Sequence, residues 1–365
     1  MEKIKINSYQ MFVLVVLFEM GSAILFAPGS QAKQDAWISI LLGLAVGLVL
    51  FWVYYRLYKF FPDVPLTSYL QILVGKWIGR FIGFLYVIYF MYQATRILRD
   101  FGELLVTSIY TNTPLFIINS LMLLTIIYAI HKGLEVIARV SELFFIFIYL
   151  FALAGFLVIM FSDLIHLENI KPILEYGVVP VIKASMQTTI YFPFGEIVTF
   201  TMLLPFFNNQ KKVKWVCLGG MLLAGINIVI TSVVNISVLG VDSFTRSTFP
   251  LLTTISRIHF SNFLERLDVF YILYVIIAGF FKITIFFYSA VYGAADIFKI
   301  EDYRKLVFPL GVIILFGSLT IAANSSEHID EGLKYISFIL HLPFQIIIPI
   351  ALLIIAFFRF SKRDK

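Results

Sequence analysis

The sequence predicts an all-α polytopic membrane protein with about ten transmembrane helices, and three observations carry that expectation. Hydrophobic residues make up 60% of the 365 and charged residues 14%, with a mean hydropathy of +0.94, more apolar surface than a soluble domain of this length can hide. Runs of roughly 18 or more apolar residues, long enough to cross a hydrocarbon core of about 30 Å, recur from end to end and leave no room for a separate soluble domain. The basic residues sit in short segments between those runs and not on one amphipathic face, so the formal charge of +6 reads as membrane topology and not as a nucleic-acid surface. Residues 1–365 therefore read as a single transmembrane domain.

The spans fall at roughly 9–28, 36–58, 81–108, 115–130, 140–162, 184–206, 213–239, 267–297, 306–323 and 334–359. An even number puts both termini on one side. The segments on that side hold eighteen Lys and Arg against seven on the other, which assigns both termini to the cytoplasmic face of the inner, or cell, membrane. Lys3 and Lys5 ahead of an apolar stretch resemble a signal peptide, but no A-x-A pattern follows and Pro28 stands after the small residues, so the stretch reads as the first span. The outer segments 163–183 and 240–267 are long, and the run from Leu251 to Ile258 after Pro250 is expected to fold back as a short interfacial helix or lid. Cys217 lies alone in an apolar run, which excludes a disulfide framework and a cysteine metal site.

In hydrocarbon every backbone N–H and C=O must be paired, so an interrupted span marks a place that lines protein or a cavity. Two spans are interrupted. Span one reads Phe18-Glu19-Met20-Gly21-Ser22-Ala23-Ile24, with a carboxylate and small residues at mid-span. Span six reads Tyr191-Phe192-Pro193-Phe194-Gly195-Glu196, where Pro193 removes a backbone donor and Gly195 weakens the helix further. Breaks at corresponding places in two halves point to the binding site of an inverted-repeat transporter fold. Opened helix ends offer N–H groups to a carboxylate and C=O groups to an ammonium or cation, and an amino acid carries both charges. Small residues also serve close helix packing, and a proline also merely kinks a span. A mid-span carboxylate is harder to set aside, since it costs roughly 2.5–3.5 kcal/mol and normally faces a cavity or a partner. Glu196 and Glu19 both fit that description. Tyr191, Phe192 and Phe194 supply apolar walls with few fixed hydrogen-bonding groups, which favours a small zwitterion with an apolar side chain over a sugar.

Span three carries Arg96, Arg99, Asp100 and Glu103, whose i,i+4 spacing pairs Arg96 with Asp100 and Arg99 with Glu103, either as a structural cluster near the outer end or as a solute gate. Lys282 is a lone cation in an apolar run of span eight. It pairs with an acid, snorkels, or stands where a cotransporter binds its coupling cation. Glu19, Arg99, Glu103 and Lys282 form the candidate gating or coupling set. His341 and Gln345, one turn apart in span ten, read as an interior polar contact and not a metal site. No P-loop, dinucleotide fingerprint, zincin motif or nucleophile elbow is present, so no enzymatic activity, catalytic residue or cofactor is expected.

The chain resembles the B subunits of GerA-type spore germinant receptors, a branch of the amino acid–polyamine–organocation superfamily in spore-forming Firmicutes. The resemblance rests on the order and spacing of Gly75-Lys76-Trp77-Ile78-Gly79, Asn112-Thr113-Pro114, Ile170-Lys171-Pro172-Ile173-Leu174-Glu175, Phe194-Gly195-Glu196, Leu204-Pro205-Phe206, Thr248-Phe249-Pro250 and Phe263-Leu264-Glu265-Arg266-Leu267-Asp268. It implies a five-plus-five inverted repeat of the LeuT-like amino-acid transporter type, with repeats at about 9–162 and 184–359. It also implies a germinant held between unwound spans one and six, at Gly21, Ser22, Ala23 and Ile24 and at Phe192, Phe194, Gly195 and Glu196, beside which Tyr191 stands. Implied partners are a membrane-anchored A subunit with a soluble domain and a C lipoprotein, in the bilayer of the spore inner membrane. Two departures stand out: Ser22-Ala23-Ile24 replaces a stretch that often holds a second glycine, and Lys282 stands where an uncharged polar residue is expected. A sensor of a small germinant is the leading expectation. A proton-coupled amino-acid permease using Glu19 or Glu196 is the second, and a scaffold with a vestigial pocket the third.

Overall fold

The computed structural model describes residues 5–258, 267–324, 327–328 and 331–360. The described chain is almost wholly helical: α1 Ser8–Met20, α2 Ala36–Phe60, α3 Leu66–Val74, α4 Lys76–Ser108, α5 Leu115–Lys132, α6 Leu134–Met160, α7 Val178–Ala184, α8 Val213–Leu239, α9 Val241–Arg246, α10 Pro250–Ser256, α11 Leu267–Phe298, α12 Arg304–Thr320 and α13 Ile348–Phe360. Among the described residues seven helical stretches are long and apolar enough to span a bilayer on their own. The remaining spans are the interrupted first and sixth and the 17-residue α12.

Span one ends its α-helix at Met20, and Gly21 to Phe26 continue as tight turns, with Ile24 N–H donating to Met20 O and Phe26 N–H to Ser22 O. Span six is broken more thoroughly. It runs as α7, a π-helical turn Ser185–Thr189, an interruption at Pro193 and a 3-10 helix Phe194–Met202. Span ten is π-helical over Gly332–Ile347 before α13, with Pro343 inside it. Two tyrosines serve carbonyls of that wide helix: Tyr54 Oη donates to Gln345 O at 2.5 Å and Tyr86 Oη to Phe344 O at 2.7 Å.

The segment expected to link spans two and three holds a helix that the sequence reading left out. α3 buries Leu66, Tyr69, Leu70 and Leu73, a one-sided stripe at helical spacing, and Gly75 (φ +90°) turns the chain so that α4 starts at Lys76 and not at 81. The hydroxyls of Thr67 and Ser68 donate to Asp296 at 2.7 and 2.8 Å, and Arg359 donates to the carbonyls of Ile72 and Leu73, closing the C-terminal end of α3. On the same side, Ile6 exchanges backbone hydrogen bonds with Phe206 and Asn208, tying the start of span one to the end of span six.

The short helix expected after Pro250 in the outer segment is present as α10, preceded by a further one, α9, that the run did not suggest. Thr254 in α10 is buried and donates to Asn235 at 2.8 Å, and Phe249 packs on Phe26 of span one. Residues 259–266, where the stretch Phe263-Leu264-Glu265-Arg266 falls, lie outside the described residues, as do 1–4 and 361–365.

At the centre is α1, apolar all round and buried from Met11 to Met20 apart from Phe12. It is sheathed by α6, α8 and α11, while α4 packs along α11 on the other side of the broken spans. α6 is at least as apolar but mostly exposed, as a helix facing acyl chains must be.

Candidate functional site

Both breaks meet α11, and Lys282 is the side chain at their junction. Gly21 makes room for it: Lys282 Cβ and Cδ lie 2.9 and 2.6 Å from where a Cβ on Gly21 would stand. The lysine is fully buried, and its ammonium is 2.5 Å from Glu196 Oε2. It lies over the rings of Phe18 (5.2 Å) and Phe192 (5.0 Å). Of the three places open to it from sequence, Lys282 takes the first, a buried pair with an acid. Glu196 Oε1 accepts from Gln93 Nε2 at 2.9 Å, so this carboxylate is served by two side chains from two helices.

Glu19 is placed differently. It is fully buried on the last turn of α1, Lys282 and Glu196 are the charges that act on it, and neither of its oxygens has a hydrogen-bond partner among the described residues. Ser22, three residues on, is 1% exposed, and its hydroxyl is likewise unpartnered.

Not every candidate residue faces this junction. Ala23 and Phe194 pack together with Ile40, Leu44 and Ile228, a contact between the two breaks and helices α2 and α8, and Ile24 belongs to the main apolar core. Gly195 admits the side chain of Gln345, whose Oε1 would collide with a Cβ there, and the carbonyl of Ile190 is 2.9 Å from the same point. Tyr191 stacks on His341 (6.2 Å, 23°). His341 and Gln345 form the expected interior contact together with Tyr89: the Tyr89 hydroxyl is 3.0 Å from His341 Nδ1, and Gln345 Nε2 donates to it at 2.8 Å. Gln93 and Tyr89 escaped the sequence reading. The signal for Gln93 was an uncharged amide inside an apolar run, a residue type that bonds across helices in a membrane.

The charged stripe of span three is half as expected. Arg99 pairs with Glu103 at 2.5 Å. Arg96 does not pair with Asp100; it donates to the carbonyl of His328 at 2.6 Å and lies 3.9 Å from Glu331, while Asp100 meets His328 Nε2 at 2.7 Å. The segment leading into span ten brings closer partners than the neighbouring turn offers. Asp100, Glu103 and His328 edge a cavity of about 340 Å³ between span one and α10, which Phe26, Thr248 and Phe249 also line.

A membrane protein of the broken-helix transporter fold is what this geometry defines. The chain superposes with a TM-score of 0.68 and 12% identity on MHP1, a nucleobase-cation-symport-1 family transporter in a closed conformation with bromovinylhydantoin bound, over 91% of this chain and 75% of that one. It superposes equally, at 0.68 and 14% identity, on MhsT in complex with L-phenylalanine, over 96% and 88%. The fold is thus the five-plus-five, LeuT-like one with spans one and six broken.

Residues 5–326 match the family model described as spore germination protein, and the chain belongs to that family. It is 44% identical over 365 residues to spore germination protein KB of Bacillus subtilis (strain 168), covering 100% of this chain and 98% of that one. It is 25% identical to spore germination protein YndE of the same organism, over 91% and 92%, and 24% identical to its spore germination protein A2, over 96% of each. The chain is a multi-pass membrane B subunit of the GerA-type germinant receptors.

Proposed function

We propose that this subunit holds a small zwitterionic germinant, an amino acid with an apolar side chain, between the breaks of spans one and six, and that binding shifts the balance between two arrangements of the helices which partner subunits read. The observation that supports this most is the buried charge at the junction: two carboxylates and one ammonium, Glu19, Glu196 and Lys282, in an apolar core where a charge normally serves a pathway, a ligand or a partner. A ligand moves such a balance only by its differential affinity for the two arrangements. The readers are a membrane-anchored A subunit and a C lipoprotein, the setting is the spore inner membrane, and no covalent step or cofactor enters.

Direct binding to the purified full chain, with a panel of amino acids, sugars and nucleosides, tests the class. Saturable amino-acid binding is expected; binding of a sugar with no amino acid would sink the reading. The second reading, a proton-coupled amino-acid permease, draws on the transporter fold and on Glu19 as a group able to carry a proton. Uptake of a labelled amino acid by the chain alone in liposomes would favour it.

Both termini lie on the cytoplasmic side in this reading. Thr245, exposed in α9, and Lys211, exposed before α8, stand on opposite sides, and Cys217 is buried. Thr245→Cys should react with an impermeant thiol reagent from outside and Lys211→Cys only after permeabilisation; the reverse pattern would invert the topology.

A further inference from the structure

The two buried carboxylates at the breaks are alike in sequence but not in what they have left to give. Glu196 has one oxygen against the Lys282 ammonium and the other accepting from Gln93. A ligand ammonium approaching Glu196 would have to displace a tethered ammonium already held between two aromatic faces and a carboxylate. Glu19 is fully buried with both oxygens unpartnered among the described residues, and the ammonium that acts on it is committed to Glu196. Lys282 is committed to Glu196, so Glu19 has no counter-charge of its own among the described residues. A buried carboxylate left without donors is costly, and a cationic group with N–H donors relieves both its charge and its unmet acceptors. Ser22 Oγ, buried three residues further along span one and without a partner among the described residues, is a further acceptor at the same break.

We propose that Glu19, assisted by the Ser22 hydroxyl, is the subsite for the ligand's ammonium, and that Lys282 acts as a built-in counter-cation that reserves Glu196 and fixes span six to span eight. This rests on the reading that an amino acid binds at the breaks and assigns its cationic end to span one. It also explains the lysine's place: a cation carried by the chain neutralises one acid permanently, so that a single ligand charge completes the site.

The test measures affinities of the purified full chain for L-alanine, for propionate, which lacks the ammonium, and for ethylamine, which lacks the carboxylate, in choline, sodium and potassium salts. Wild-type protein should prefer L-alanine over propionate in all three salts. Glu19→Gln should weaken L-alanine by about ten- to a hundredfold, down to the propionate level, because a charge-assisted hydrogen bond is lost, and should abolish ethylamine binding. Ser22→Ala removes only a hydroxyl and should weaken L-alanine a few-fold with propionate unchanged, a result that stands even if Glu19→Gln fails to fold. Wild-type affinity and wild-type preference in Glu19→Gln would overturn the proposal. So would L-alanine binding that requires sodium or potassium in the wild type and loses that requirement in Glu19→Gln, which would make the cation at Glu19 inorganic. Absence of amino-acid binding by the wild type is a different failure, that of the proposed function itself.

Discussion

Span one and span six are broken at corresponding depths, and each carries a glutamate at its break, yet the two are held in opposite ways. In span six the glutamate is held on both oxygens: Glu196 meets Lys282 and Gln93, while Gly195 is filled from the far side by Gln345 and Tyr191 stacks on His341. In span one Glu19 and Ser22 are buried with their side-chain oxygens unmet among the described residues. The difference teaches that a helix interruption has two uses in one fold. One interruption is a joint, locked to spans three, eight and ten by side chains; the other keeps buried side-chain oxygens without partners among the described residues.

The contrast breaks most severely if the shared lysine is removed. Lys282→Met leaves Glu196 and Glu19 buried without a counter-charge and should cost about 3–5 kcal/mol of stability, seen as a large fall in the detergent unfolding midpoint. Adding Glu196→Gln to that variant should regain a substantial part, since the uncompensated charge goes with it. A Lys282→Met protein as stable as wild type would mean that the pair does not hold the junction.

The two glycines sharpen it next. A methyl at Gly21 meets Lys282, pinned by its ion pair, and a methyl at Gly195 meets Gln345 and the carbonyl of Ile190, so each Ala variant should lose about 1–3 kcal/mol through overpacking. Gln345→Ala should partly relieve Gly195→Ala and leave Gly21→Ala unrelieved, and a double-mutant cycle reads that difference. Equal relief at both positions would show that the breaks are not independently packed.

The smallest effects test saturation itself. Gln93→Leu strips Glu196 Oε1 of its donor and should destabilise by about 1–3 kcal/mol. Ser22→Ala removes a hydroxyl that bonds to nothing described and should stay within about 0.5 kcal/mol of wild type. A Ser22→Ala loss as large as that of Gln93→Leu would place an unseen structural partner at span one.

Most of the architecture was legible because bilayer physics writes it locally. Apolar run length, the basic residues between runs, and Pro193 with Gly195 in span six are one-dimensional signals, and the long helices and the two breaks stand where those signals put them. α3 was missed because nine residues are too short to read as a span, and their one-sided apolar stripe acquires meaning only against the helices it covers. The π-helical course of span ten was missed for a similar reason: its carbonyls are served by Tyr54 and Tyr86 from spans two and three.

At the site, the sequence by itself determined that Glu19, Glu196 and Lys282 would be buried, because each lies within a run that must cross hydrocarbon. It could not determine who pairs with whom. Arg96 and Asp100, one turn apart, part company for groups in the segment leading into span ten, and Lys282 reaches a glutamate 86 positions away in sequence while Glu19 receives no hydrogen bond from any described residue. Burial is a property of the run a residue belongs to, and sequence records it; pairing depends on distances between helices that only packing sets, and in a low-dielectric core those few ångströms decide which acid meets the ammonium and which does not.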